Sequence, residues 1–313
     1  MLDVKRMRVL REVAAKGSFS AAAESLSYTQ SAISQQIAAL EREAGTTLVE
    51  RNARGVRLTD AGRALVAHAE AILARLADAE AELEAISGLR AGRVRLASFP
   101  SAGATIMPKA IAAFRAAHPG VEVQLHPAEP DDGIALMRSG EVDISLTIVT
   151  TWDDSCAIRD GLELTHILDD PMYVSLPDWH PLARKRALKL RDLADEQWIL
   201  GSTGSCPDTS IFLRECERAG FEPKIAFHSD DYFAIQGFVA TGMGVSFIPD
   251  LALVALREDI TIRSIGARPP ARRIMAATLQ DSWASPAKAA MLEHLVDVGK
   301  EFAGRHRELA LVA

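Results

Sequence analysis

The sequence predicts a multidomain α/β protein with a winged helix-turn-helix at its N-terminus, a long connecting helix and a C-terminal α/β region. Three observations carry this reading. Residues 12–59 run as an alanine-rich helix, a break, a polar helix and an arginine-bearing hairpin. Residues 60–88 repeat apolar side chains at spacings alternating between four and three, the a/d pattern of a coiled coil. From Arg93 onward short apolar strands alternate with helices, as in chains that build a parallel sheet.

Val4, Met7, Leu10, Val13 and Ala14 give an opening helix one apolar stripe. Gly17 ends it, and Ser20 is expected to cap the next helix. Small Ala21, Ala22 and Ala23 allow another helix to approach closely, and the break after Leu26 allows a sharp re-entry. Thr29 caps a third helix running to about Ala44, whose Ala32, Ile33, Ile37 and Leu40 face inward. Its opposite face carries Gln30, Ser31, Ser34, Gln35 and Gln36, uncharged donor–acceptors suited to base edges in a major groove. Residues 48–51 and 56–58 then read as a hairpin turning at 52–55, with Arg51, Arg54 and Arg57. A hairpin in that place is a wing, which lies along the backbone or enters the minor groove.

The helix expected over 60–88 presents Leu65, Ala69, Ile72, Leu76, Ala79, Leu83 and Ile86 in one stripe. Either it joins two copies of the chain, with Leu65, Ile72, Leu76, Leu83 and Ile86 as the seam, or it packs on its own domain. Beyond it, strands are expected at 94–98, 121–125 and 142–146, with helices at 106–117 and 133–139 between them. A βαβαβ run of this kind places ligands at the carboxyl ends of its strands. A second unit follows, with strands at 172–176, 198–200 and 224–227 and helices at 209–219 and 232–241. A strand at 261–265 carries the chain back. A strand at 273–278 and a helix at 286–304 complete the first lobe, and residues 305–313 form a tail expected to fray.

At 313 residues the chain exceeds one ordinary core. Its net charge of −7 is unevenly spread. Residues 1–60 hold nine Lys/Arg against seven Asp/Glu, so a locally positive face can track phosphates while the acidic remainder weakens non-specific binding. No apolar run is long enough to span a bilayer. The first residues lack a signal-peptide core, which places the chain in the cytoplasm with no membrane partner.

The stretches Phe19-Ser20-Ala21-Ala22-Ala23, Ser31-Ala32-Ile33-Ser34-Gln35-Gln36-Ile37, Leu40-Glu41 and Val56-Arg57-Leu58-Thr59-Asp60-Ala61-Gly62, with Gly45, Leu48 and Arg51, resemble the LysR-type transcriptional regulators. So do Pro108, Phe114, Pro119, Gly140, Asp143-Ile144, Pro181-Leu182, Gly220-Phe221 and the run from Gly242 to Pro249. The resemblance covers nearly the whole chain. It implies a DNA-binding domain over 1–59, a dimerisation helix over 60–90 and an effector domain over 91–304. That domain would have two lobes like a periplasmic binding protein, lobe I about 91–166 with 268–304 and lobe II about 167–267. It further implies a homodimer or homotetramer on double-stranded promoter DNA, a small-molecule effector in the interlobe cleft, and RNA polymerase as a further candidate partner. This chain has Ser31 and Gln35 where many members have Pro and Arg, so base preference does not transfer.

Within that frame Gln30, Ser31, Ser34 and Gln35 are assigned to the groove, Tyr28 and Thr29 to backbone phosphate, and Arg51 and Arg54 to the wing. By family position the effector cleft takes Ser98, Pro100, Ser101, Ala102, Glu129, Thr147, Gly201, Ser202, Thr203 and Phe247. Residues 99–103 join a strand to a helix start, whose free N–H groups suit an anionic or polar ligand. None of the stretches assigned to the cleft contains an arginine, so no carboxylate ligand is argued by pairing. Cys206 and Cys216 are placed similarly to the redox pair of peroxide-sensing members, leaving a thiol-based sensor as the alternative; Cys156 reads as structural. No metal or cofactor is expected, since the histidines lack ligand spacing. Asp178 and His180 come with no nucleophile elbow, P-loop or dinucleotide fingerprint, so an enzyme is not expected. A transporter's solute-binding protein is the remaining rival, and the wing argues against it.

Overall fold

The computed structural model describes residues 1–52, 55–86, 92–150, 161–201, 207–266, 269–280 and 285–309. The chain divides into two compact units, Met1–Arg90 with Ala135–Val142, and Ala91–Ile134 with Asp143–Ala313.

The first unit contains α1 (Val4–Lys16), α2 (Phe19–Ser25), α3 (Gln30–Ala44), the hairpin β1 (Val49–Asn52) and β2 (Gly55–Leu58), and α4 (Asp60–Ile86). Asp3 caps α1, its carboxylate accepting from the N–H groups of Lys5 and Arg6. Ser18, one residue ahead of α2, accepts from the Ala21 N–H at 3.4 Å. That corrects the expected cap at Ser20, which lies exposed inside the first turn. Ser27 takes φ 57° in the connection to α3, a left-handed value that costs a non-glycine residue energy and allows the sharp re-entry. Thr29 caps α3, accepting from the Ala32 N–H at 3.2 Å. Ile33, Ile37 and Leu40 pack with Met7, Leu10, Val13 and Phe19 in one buried cluster. Burying each of these aliphatic side chains contributes about 1.5–3 kcal/mol.

α4 settles part of the choice its stripe left open. Leu65 and Val66 pack half-buried on the helix-turn-helix core, and Ala69 is buried in it. Leu65 therefore packs in part on its own domain. Ile72, Leu76 and Leu83 are 40%, 46% and 66% exposed. The side chain of Ile86 lies outside the described residues.

The second unit contains β3 (Arg93–Ser98), α5 (Pro100–Ala117), β4 (Glu122–Pro127), the first residues of α6 (Pro130–Arg138, assigned to the first unit from Ala135), β5 (Ile144–Val149) and the long β6 (Leu162–Pro177). β7 (Gln197–Leu200), α7 (Pro207–Ala219), β8 (Lys224–His228), α8 (Tyr232–Ala240) and β9 (Val245–Pro249) follow. β10 (Ile260–Arg263), β11 (Ala271–Leu279) and α9 (Pro286–Leu309) finish it. Among the described residues the strands order as β4-β3-β5-β11-β6-β9-β7-β8, with β10 also on β6. β3 pairs in parallel with β4 and β5, and β7 with β8 and β9. β11 is antiparallel to both β5 and β6, as a returning C-terminal segment requires.

The two largest buried clusters among the described residues of this unit lie one in each lobe. One gathers Ile106, Met107, Phe114, Ile144 and Leu295, the other Leu176, Trp198, Ile211, Phe212 and Val245. β6 joins them, and it begins ten residues before the strand expected at 172. Over Leu162–Pro171 it pairs with β11, and from Met172 with β9. The crossing between lobes thus falls at Pro171, not at 166. Its register on β11 shifts by one residue beside Ile167, a bulge. The Ile167 carbonyl lies 2.3 Å from where a Cβ on Gly299 would stand, so only glycine lets α9 approach there. α9 also runs past the expected end at 304, to Leu309.

Candidate functional site

The first candidate surface is the outer face of α3. Tyr28, Thr29, Gln30, Ser31 and Gln35 are exposed and Ser34 half-exposed, while Ile33 and Ile37 are buried. The helix is held in place by charges that look inward. Arg6 pairs with Glu43 and donates from Nε to Gln36 Oε1 at 3.2 Å. Glu41 Oε1 accepts from the N–H groups of Leu48 and Val49 at 2.8 and 3.2 Å, tying α3 to the hairpin. The Val56 N–H donates to the Gly17 carbonyl at 3.0 Å, tying β2 to the end of α1. Thr29 Oγ1 lies 3.0 Å from Ser31 Oγ while capping the helix, so both hydroxyls are pre-oriented at the start of α3. Arg57 is exposed on β2. Arg54 and the side chain of Arg51 lie outside the described residues.

The second is a cleft of the second unit, about 770 Å³ of non-atom space with its open mouth included. The turn from β3 into α5 supplies Phe99, Pro100 and Ser101 to one wall, with Glu129 after β4 and Arg272 from β11. The facing wall takes Gly201, Asp208 in the first turn of α7, Asp230, Tyr232 of α8 and Phe247 of β9. Of the expected cleft residues, Pro100, Ser101, Glu129, Gly201 and Phe247 line it. Ser98, Ala102 and Thr147 do not. Each is buried behind the lining, Ser98 donating to the Phe99 carbonyl at 3.2 Å, Ala102 within the core and Thr147 paired with Met275. Ser202 and Thr203 lie outside the described residues.

An arginine serves the cleft after all, from a strand distant in sequence. Arg272 is 2% exposed. Its Nε donates to Asp170 Oδ2 at 2.7 Å, Nη1 to Asp208 Oδ2 at 2.9 Å and Nη2 to Ser101 Oγ at 2.6 Å. The guanidinium carbon stands 5.2 Å from the Phe99 ring centroid, a cation–π distance. The Tyr232 hydroxyl donates to Asp208, and Asp170 also accepts from the Leu251 N–H at 3.0 Å. Burial pushes the Asp170 carboxyl up to about 6 in spite of Arg272. Burial would lower the Arg272 value, but Asp208 and Asp170 outweigh it and hold the guanidinium charged. Glu129 is raised as well, first by burial and then by Asp230, Asp208 and Asp132. Asp208, Asp230, Tyr232 and Arg272 went unassigned in the sequence; the signal for Arg272 was its alternation with Ile274 and Ala276, all three buried on one face of β11.

Cys216 sits in α7, fully buried in a lobe core. Burial, with Glu215 nearby, pushes its thiol up to about 12, the opposite of an activated cysteine. Cys206 and Cys156 lie outside the described residues. His180 caps a short 3₁₀ turn, its Nδ1 accepting from the Leu182 N–H at 3.2 Å. No helix among the described residues is long and apolar enough to cross a membrane.

Residues 4–63 match the bacterial regulatory helix-turn-helix protein, lysR family, and residues 87–300 match the LysR substrate binding domain. The chain is 31% identical to a probable HTH-type transcriptional regulator, LrrA, of Synechococcus elongatus, covering 96% of this chain and 98% of that one. It is 33% identical to a probable hydrogen peroxide-inducible genes activator of Mycobacterium avium, covering 86% and 85%. Full-length CbnR, solved in complex with its target DNA, superposes with a TM-score of 0.62 at 24% identity, covering 95% and 100%.

Proposed function

The chain belongs to the LysR family of transcriptional regulators, and from that premise we propose how its surfaces divide the work. α3 enters the major groove of promoter DNA with Gln30, Ser31, Ser34 and Gln35 toward base edges. Tyr28, Thr29 and the wing arginines Arg51 and Arg54 take backbone phosphates. Two copies join through the exposed part of the α4 stripe, Ile72, Leu76 and Leu83, and dimers pair into tetramers that can contact RNA polymerase. A small molecule in the cleft of the second unit shifts the affinity for DNA. The protein acts in the cytoplasm and is not an enzyme.

One observation carries the reading. The outward residues in the first two turns of α3, Gln30, Ser31, Ser34 and Gln35, are uncharged donors and acceptors, while Arg6, Glu41 and Glu43 are engaged in fixing the helix. A gel shift with the DNA upstream of its own gene, at stated salt, tests it. Specific retardation that competitor DNA does not abolish is expected, and indifference to that DNA at low salt sinks the proposal. Carboxylates and apolar side chains meet at the cleft, which suits binding a metabolite. The thiol-sensor alternative draws on the Mycobacterium avium relative, but the burial of Cys216 works against it.

A further inference from the structure

We infer that the ligand of this cleft is a small organic cation, an ammonium carried on an apolar body, and not the anion that the start of α5 promises on its own. The inference rests on the reading of the cleft as an effector site and concerns only what fits there. Among the described residues, the charged side chains lining it are Glu129, Asp208, Asp230 and Arg272, three acids against one base. Arg272 has no charge to spare for a ligand. Its donors reach Asp170, Asp208 and Ser101, and Asp170, fully buried behind the lining, already supplies one full negative charge.

Helix starts are the other source of positive potential. α5, α7 and α8 begin at the cleft with Pro100, Pro207 and Tyr232, and α6 begins directly after Glu129; each contributes about half a unit charge. Together they offset about two carboxylates, and with Asp170 counted the described groups stay negative. The neighbouring stretch Ser202-Thr203-Gly204-Ser205-Cys206 contains no cationic residue. An anion entering this space would meet net repulsion in a partly desolvated site, where charge interactions are stronger than in water. A cation instead meets carboxylates on both walls, Glu129 on one and Asp208 on the other. Burial, and after it the like charges of Asp230, Asp208 and Asp132, hold the Glu129 carboxyl above the usual range, and an incoming ammonium favours its charged form. Ile148, Leu200, Ile235 and Phe247 supply an apolar wall for the body of the ligand.

The test uses the full chain and paired probes that share a body and differ in charge. Butylamine and phenethylamine are set against pentanoate and 3-phenylpropanoate, in thermal shift and calorimetry. At least one ammonium probe is expected to raise Tm saturably, with its paired acid at least tenfold weaker. Glu129→Gln should weaken that probe about tenfold and leave its paired acid no weaker. Stabilisation by the acids and not by the amines overturns the charge assignment and leaves the cleft an effector site. Silence of every amine at millimolar concentration overturns it too. If both panels are silent and promoter retardation is unaffected by either, the effector reading falls with it.

Discussion

Arg272 Nη1 and Asp208 Oδ2 meet at 2.9 Å across the cleft, with side chains 2% and 8% exposed. The contact links β11 to the first turn of α7, and Asp170 on β6 closes the other side of the guanidinium. Truncating the arginine leaves two buried carboxylates without a counter-charge, at a cost of about 3–5 kcal/mol. Arg272→Met should therefore lower the urea midpoint of the full chain markedly. Replacing Asp170 and Asp208 by Leu in the same chain should restore much of it. A single mutant as stable as the parent would show that the network adds nothing.

Asp170 also sets a pH dependence. Its folded value of about 6 lies above the ordinary 3.8, so between these the native state binds more protons than the unfolded chain. Stability from this group therefore falls as pH rises from about 4 to 6 and stays lower above. Asp170→Asn should remove that decline. Urea midpoints at pH 4.5 and 7 for both chains give the comparison, and equal differences would refute it.

Gln35 is exposed on α3 and, if it reads a base, Gln35→Ala should cost operator affinity about 1–3 kcal/mol while sparing non-specific DNA. Arg54→Ala should weaken all DNA alike and reduce the salt slope by about 1. Footprinting and salt titrations separate the two. Unchanged operator affinity in both variants removes the assignment.

Gly62 has no room for a side chain, since a Cβ would stand 2.1 Å from the Leu48 carbonyl oxygen. That atom is backbone, held by the Thr59 N–H at 3.0 Å. Gly62→Ala should displace the wing from α4 and cost about 1–3 kcal/mol. Loss of DNA retardation is expected with ligand-induced Tm shifts retained. Normal DNA binding would contradict this account of the wing.

Cys216 should stay unreactive in the folded chain, its thiol being held at about 12. Mild peroxide followed by mass spectrometry is expected to show no Cys206–Cys216 disulfide. Finding that crosslink together with altered promoter binding would restore the thiol-sensor reading.

The DNA-binding end was legible because its signals are local. The caps at Thr29 and Gly45, the 3.6-residue stripe and the hairpin each sit within a few residues of what they determine. The Ser18 cap was misread because Ser18 and Ser20 stand on either side of Phe19 at the helix start, and spacing alone does not separate them. The cleft was half legible. Pro100 and Ser101 announce a helix start, but Arg272 enters through β11 and binds Asp170, 102 positions away. Asp169-Asp170-Pro171 reads as a turn, yet lies inside a strand. Arg272 holds Asp170, and Pro171 falls where β6 leaves β11 for β9, so its missing N–H disrupts neither ladder. Such compensation depends on tertiary partners that no short window contains.

The sixteen residues of β6 run unbroken from one lobe into the other. Neither lobe can be cut away as a contiguous module: a fragment ending near Pro171 would lack β11, the partner of β5 and of the first part of β6, and one beginning there would strip β11 of both. Each would expose a long apolar ladder edge of the kind that recruits neighbouring chains into aggregates.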